Sequence, residues 1–83
     1  MQEPEAQKTV KEVIEALKER REALGWSQRA LAEEAGVDPK TISLIEREMR
    51  SPTLFTLLLL AGALDCPLWK ILSEAEKSLN HKA

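Results

Sequence analysis

The apolar positions of this chain recur at helical spacing almost from end to end, and the interruptions fall where helices stop. Val10, Val13, Ile14, Leu17, Arg21 and Leu24 follow a period near 3.6, with charged residues on the other faces. They predict a helix over residues 9–24, closed by Gly25, which supplies a permissive backbone position. Ser27 is placed to cap a second, short helix through its side-chain oxygen. The buried face of that helix is Leu31, Ala32 and Ala35. Ala32 matters for its smallness, because two helices crossing at a steep angle need a small residue where they touch. Gly36 suits the left-handed conformation that follows a helix end, and Val37 pins the turn to the core. Asp38 and Pro39 make a strong helix start, a carboxylate cap followed by proline at the first helical position. The third helix continues to residue 46 or 47 and buries Ile42 and Ile45. Residues 47–52 form a basic, turn-like linker. Thr53 caps a fourth helix running to about residue 64. A last helix starts near Pro67, carries Leu68, Trp69, Ile71 and Leu72, and ends near residue 75 or 79. No strand signal or internal repeat interrupts the series, so the fold class is all-α. Residues 1–8 carry no apolar period and are expected to be a flexible extension. The folded domain is then 9–79, with a flexible tail over 80–83.

The fourth helix breaks the tidy pattern. Its sequence, Leu54-Phe-Thr-Leu-Leu-Leu-Leu-Ala-Gly-Ala-Leu, is apolar on more than one face. Leu54, Leu57, Leu58, Ala61 and Leu64 can supply the core-facing side, which leaves Phe55, Leu59 and Leu60 outside it. Trp69 adds a large ring at an outward position of the last helix. A chain of 83 residues cannot cover both faces itself. A homodimer is therefore expected, with Phe55, Leu59, Leu60 and Trp69 at its interface.

Residues 26–46 read as a short helix, a tight turn at Gly36-Val37-Asp38 and a second short helix. That is the sequence form of a helix-turn-helix, whose second helix can enter the major groove of double-stranded DNA. The formal net charge of −2 does not favour a strong nucleic-acid binder. Acidic residues dominate the first segment, and Lys40, Arg47 and Arg50 are accompanied by Asp38, Glu46 and Glu48. A DNA-facing surface must come from placement rather than from excess charge, with modest affinity per monomer and strong salt dependence. No apolar run is long enough to span a bilayer, and the first residues lack the pattern of a secretion signal, so no membrane association and a cytoplasmic location are expected. Cys66 stands alone, which excludes an internal disulfide and suggests no cysteine-based metal site. His81 lies in the tail, and no serine–histidine–carboxylate set accompanies it. No enzymatic activity, cofactor or metal is expected.

Three segments at coupled spacing carry a resemblance: Ser27-Gln-x-x-Leu-Ala-x-x-Ala-Gly-Val, then Thr41-Ile-Ser-x-Ile-Glu, then Arg50-Ser-Pro-Thr-Leu. Over roughly residues 10–72 the chain resembles the cro/C1-type, or XRE-type, helix-turn-helix domain of phage repressors and many small bacterial regulators. The resemblance implies a compact five-helix, lambda-repressor-like DNA-binding domain, two copies of which bind a near-palindromic operator. It places Lys40 and Ser43 at base edges, where lysine can donate to guanine or instead rest on a phosphate. Pro39 and Leu44 take outward positions of the same helix that are often polar in relatives. Proline offers only shape there, and leucine a contact to a thymine methyl. Gln28, Thr41, Arg47 and Arg50 fall nearer the phosphates, with Gln28 also bracing the recognition helix. Arg21 and Glu46 match an arginine–glutamate pair that ties the first helix to the end of the third. The chain departs from the pattern where Glu48 replaces a common glycine, and where Asp65 and Pro67 replace a glycine and a small polar residue.

The function so implied is a dimeric, sequence-specific DNA-binding transcriptional regulator. The chain leaves no room for a ligand-sensing second domain, and it is similar to the controller proteins of restriction–modification systems. A phage-type autorepressor, or an antitoxin with a toxin partner, fits the same residues. The alternative from another class is a protein-interaction domain of the same fold without DNA binding, which the acidic balance, Pro39 and Leu44 would suit.

Overall fold

In the computed structural model, which describes residues 1–80, five helices follow one another: α1 (Glu3–Ala23), α2 (Gln28–Ala35), α3 (Pro39–Glu46), α4 (Leu54–Ala63) and α5 (Leu68–Asn80). His81, assigned to the tail, lies outside the described residues. Among the described residues there is no strand, and no single helix is long and apolar enough to cross a membrane.

The first helix starts earlier than its apolar period suggests. Residues 1–8, expected to be flexible, enter α1 from Glu3 onward. Local chemistry accounts for the extra turns. The Gln2 backbone N–H donates to the Glu5 carboxylate at 2.8 Å, Pro4 sits in the first turn, and Glu3 and Glu5 place negative charge at the positive end of the helix. Thr9 lies inside the helix, its hydroxyl donating to the Glu5 carbonyl at 3.0 Å. At 21 residues α1 is about 31 Å long at 1.5 Å per residue. It is the spine against which α3 and α5 pack, while α2 packs on α3 and α4, and α4 on α5.

Val13 of α1, Leu31 of α2, Ile42 of α3 and Leu64 at the end of α4 are the fully enclosed side chains at the centre. Ala32 is equally enclosed, as its size requires. The rotation of α4 differs from the sequence reading. Leu60, expected at a dimer interface, is 3% exposed and belongs to the core with Leu57, Ala61 and Leu64. Leu59 is half-buried against that core, so it too is largely withdrawn from the outer face. Leu54 and Leu58, expected inside, are exposed, and so is Phe55 at 71%. Leucine at five of the first seven α4 positions gives the helix no unique polar side. Packing against α2 and α5, rather than periodicity, sets its rotation.

The first four helices all close with a residue in the left-handed region: Gly25 (φ 74°), Gly36 (φ 73°), Glu48 (φ 61°) and Asp65 (φ 53°). After α3 the Glu48 N–H donates to the Ile45 carbonyl at 3.0 Å and the Met49 N–H to the Leu44 carbonyl at 2.8 Å. After α4 the Asp65 N–H donates to Gly62 at 3.1 Å and the Cys66 N–H to Ala61 at 2.9 Å. These paired bonds satisfy carbonyls that a helix end otherwise leaves open. The backbone thus takes the glycine-type path at Glu48 and Asp65 although neither is glycine. That conformation costs an L-residue roughly 1–2 kcal/mol, less for aspartate, whose short side chain tolerates it.

Candidate nucleic-acid interface

Two short helices and the turn between them build the outward face. Ser27 caps α2, its hydroxyl oxygen accepting from the Ala30 N–H at 3.0 Å. The helix ends at Gly36, and the Val37 N–H donates back to the Ala32 carbonyl at 3.0 Å while its side chain packs on the core. Asp38 then starts α3. Its carboxylate accepts from the Lys40 N–H at 2.8 Å, and its carbonyl from the Thr41 N–H at 2.9 Å. Proline at the next position lacks only an N–H that no helix bond would use.

The eight residues of α3 divide cleanly. Ile42 and Ile45 are buried, which turns residues 39, 40, 43, 44 and 47 to the other side at helical spacing. Pro39, Lys40 and Arg47 are exposed, and Ser43 and Leu44 are half-buried. The structure therefore brings the proposed base-facing residues onto one face of one helix. Thr41 lies beside that face, half-buried. The Arg47 Nε lies 3.4 Å from the Ser43 carbonyl, a long bond that keeps its guanidinium along the outward side. Arg50 is exposed on the linker after α3, beside Glu48 rather than beside Lys40.

The opposite end of α3 is held by a buried polar cluster. Arg21 Nε donates to Glu46 Oε2 at 2.8 Å, and Nη2 to Glu46 Oε1 at 3.0 Å. The third nitrogen, Nη1, donates to the Trp26 carbonyl at 2.6 Å. Gln28 Nε2 donates to Glu46 Oε1 at 2.9 Å. One carboxylate thus accepts three bonds and joins α1, α2 and α3, and the Arg21 guanidinium ties in the α1–α2 turn. The side chains of Arg21 and Glu46 are only 10% and 8% exposed. The Glu46 hydrogen bonds raise the pKa of Arg21 above its ordinary value, outweighing the opposite effect of burial, and the charges of Glu46 and Glu22 add to the rise. Among the described residues no buried side-chain nitrogen or oxygen lacks a partner.

Two members of this cluster go beyond the pair visible in sequence. The sequence reading gives Gln28 both to phosphate and to bracing; its amide commits one N–H to Glu46, which leaves the other N–H to donate to a phosphate. The Trp26 carbonyl gave no sequence signal, because it is a backbone group positioned by the turn at Gly25. Of the four residues assigned to a dimer interface, Phe55 and Trp69 are exposed, at 71% and 72%, whereas Leu60 is in the core and Leu59 is half-buried. The exposed apolar stripe of α4 is instead Leu54, Phe55 and Leu58.

A family model described as helix-turn-helix matches residues 17–68, more than half of the chain. The match runs from the last turns of α1 to the first residue of α5 and contains the Arg21–Gln28–Glu46 cluster and all of α3. Comparisons with curated proteins and with solved structures found no match.

Proposed function

This chain belongs to the helix-turn-helix family, of the cro/C1 (XRE) type, a family of DNA-binding regulators, and on that premise we propose that it regulates transcription by binding a near-palindromic operator as a homodimer. The observation that carries the reading is the way α3 is presented. One helix offers Lys40, Ser43 and Leu44 outward and is clamped at its far end by the Arg21–Glu46–Gln28 cluster. A clamped helix loses little freedom on docking, so base contacts translate into affinity. Lys40 and Ser43 read base edges, Leu44 and Pro39 contribute apolar contact and shape, and Gln28, Thr41, Arg47 and Arg50 meet the backbone.

The stripe of Leu54, Phe55 and Leu58, together with Trp69, supports self-association, because so much apolar area on so small a domain is uncovered in the single chain. A two-fold pair would set two α3 helices about 34 Å apart, in successive major grooves. Among biological settings the resemblance favours a restriction–modification controller working in the cytoplasm. Neighbouring endonuclease and methyltransferase genes would identify that setting, and a toxin gene would identify an antitoxin.

Selection of bound fragments from random duplex DNA tests the proposal directly. A symmetric consensus with two half-sites is expected. Lys40→Ala should then alter preference among operator variants, and Arg50→Ala should weaken all of them alike. Failure of the folded protein to enrich any sequence would overturn the operator-binding reading.

A further inference from the structure

We infer that the cleft between the N-terminal half of α1 and the linker after α3 is a seat for a DNA backbone phosphodiester, supplied partly by residues that the helix-turn-helix match does not reach. This rests on the DNA-binding reading above. The cleft is about 140 Å³, and its polar lining comes from both sides: Gln7 and Lys11 from α1, and Glu48, Arg50 and Ser51 from the linker. Buried Ile14 contributes apolar surface to it. At roughly 30 Å³ per water, the hollow holds several waters or one phosphate group.

The charges define the ligand. Lys11 and Arg50 come from distant parts of the chain to the same hollow, both exposed, and neither forms an ion pair among the described residues. Two like charges facing one gap are stabilised by an anion between them. Gln7 and Ser51 add neutral donors at its edges, so the missing partner is rich in acceptor oxygens. Glu48 lines the same cleft and leaves one net positive charge, which matches a phosphodiester, with its single negative charge, better than a free phosphate dianion.

Position points the same way. The linker leaves the C-terminal end of α3 next to exposed Arg47, so a duplex lying along the outward face of that helix runs on toward Arg50. The early turns of α1, beginning at Glu3, hold Gln7 and Lys11 on a rigid helix beside that path. The family match begins at residue 17, so both lie outside it. Glu48 then has a second consequence beyond backbone strain: it weakens the seat and holds non-specific affinity down.

The test is fluorescence anisotropy with a random-sequence duplex and the selected operator, between about 50 and about 200 mM salt. Lys11→Gln keeps the helix propensity and the apolar stem, and its melting midpoint should match the wild type. It should weaken binding to every duplex by about fivefold per protomer, the worth of one contact between unit charges about 4 Å apart in water. It should also flatten the log–log salt slope by about 1 per protomer. Glu48→Gln should tighten binding to every duplex by a similar factor. If the wild type binds and neither variant departs from it, the seat is wrong and the DNA reading stands. If the folded wild type binds no duplex, both fall. Inorganic phosphate should displace DNA no better than chloride at equal ionic strength; stronger displacement would assign the cleft to the free anion and overturn the phosphodiester seat.

Discussion

Replacing Arg21 with alanine tests whether the polar cluster beneath α3 is structural. The substitution removes three hydrogen bonds at once, two to Glu46 and one to the Trp26 carbonyl. The greater cost lies in what remains. The Glu46 carboxylate, with its side chain 8% exposed, keeps only the Gln28 N–H as partner. Breaking a buried pair from one side costs about 3–5 kcal/mol. Truncation to alanine opens a path for water to the carboxylate, so the lower end, about 3 kcal/mol, is expected. For a domain of this size that lowers the melting midpoint by about 12–24 °C and consumes a large part of the total stability. Urea unfolding followed by circular dichroism gives the free energy, with an unchanged slope as the check that the same surface unfolds. The double variant Arg21→Ala/Glu46→Ala leaves neither charge stranded. It should lose about 2 kcal/mol less than the sum of the singles. The sign of the pH dependence follows from Arg21. Its folded pKa is raised, so its contribution is fully present below the ordinary arginine value and is lost only as pH rises through the higher folded one. The penalty should therefore not change across the neutral range on Arg21's account. A loss below about 1 kcal/mol, the range of exposed pairs, would refute the argument.

At protein concentrations low enough to keep the chain monomeric, Leu60→Ala should cost about 2–5 kcal/mol by leaving a cavity, whereas Leu58→Ala should stay within about 0.5 kcal/mol; the reverse order would mean that α4 is rotated as the sequence reading had it. Glu48→Gly relieves the left-handed strain at the end of α3 and should stabilise the domain by about 1 kcal/mol, a rise in melting midpoint of about 4–8 °C. No gain would show that glutamate sits there without cost. Trp69→Glu changes a side chain that is 72% exposed, so helix content should hold while sedimentation equilibrium shifts from dimer to monomer. A wild type that stays monomeric at high concentration, on DNA as well as off it, would remove the dimer.

The helices and their ends follow from local chemistry, and for that reason they were legible along the chain. Ser27 and Asp38 cap with their own side chains, Pro39 starts α3, and Gly25 and Gly36 end helices where only a left-handed residue serves. The outward stripe of α3 came through resemblance, and the burial of Ile42 and Ile45 on the opposite side agrees with it, Leu44 being the apolar residue that spacing alone would not have turned outward. The match of Arg21 to Glu46 came through resemblance, since 25 residues separate them. The start of α1 was missed because its first turns bury almost nothing and are held by end effects rather than by an apolar period.

Everything that depends on which face meets which neighbour was decided by the tertiary structure. An α4 made of successive leucines has no preferred rotation until α2 and α5 pack on it, and only then does Leu60 turn inward and Leu58 outward. The third bond of Arg21 to the Trp26 carbonyl, the commitment of Gln28 to Glu46, and the meeting of Lys11 with Arg50 across one cleft all join groups far apart along the chain or involve the backbone itself. The sequence determines which groups can form such bonds. Only the folded chain, by excluding water and bringing those groups within reach, determines which of them do.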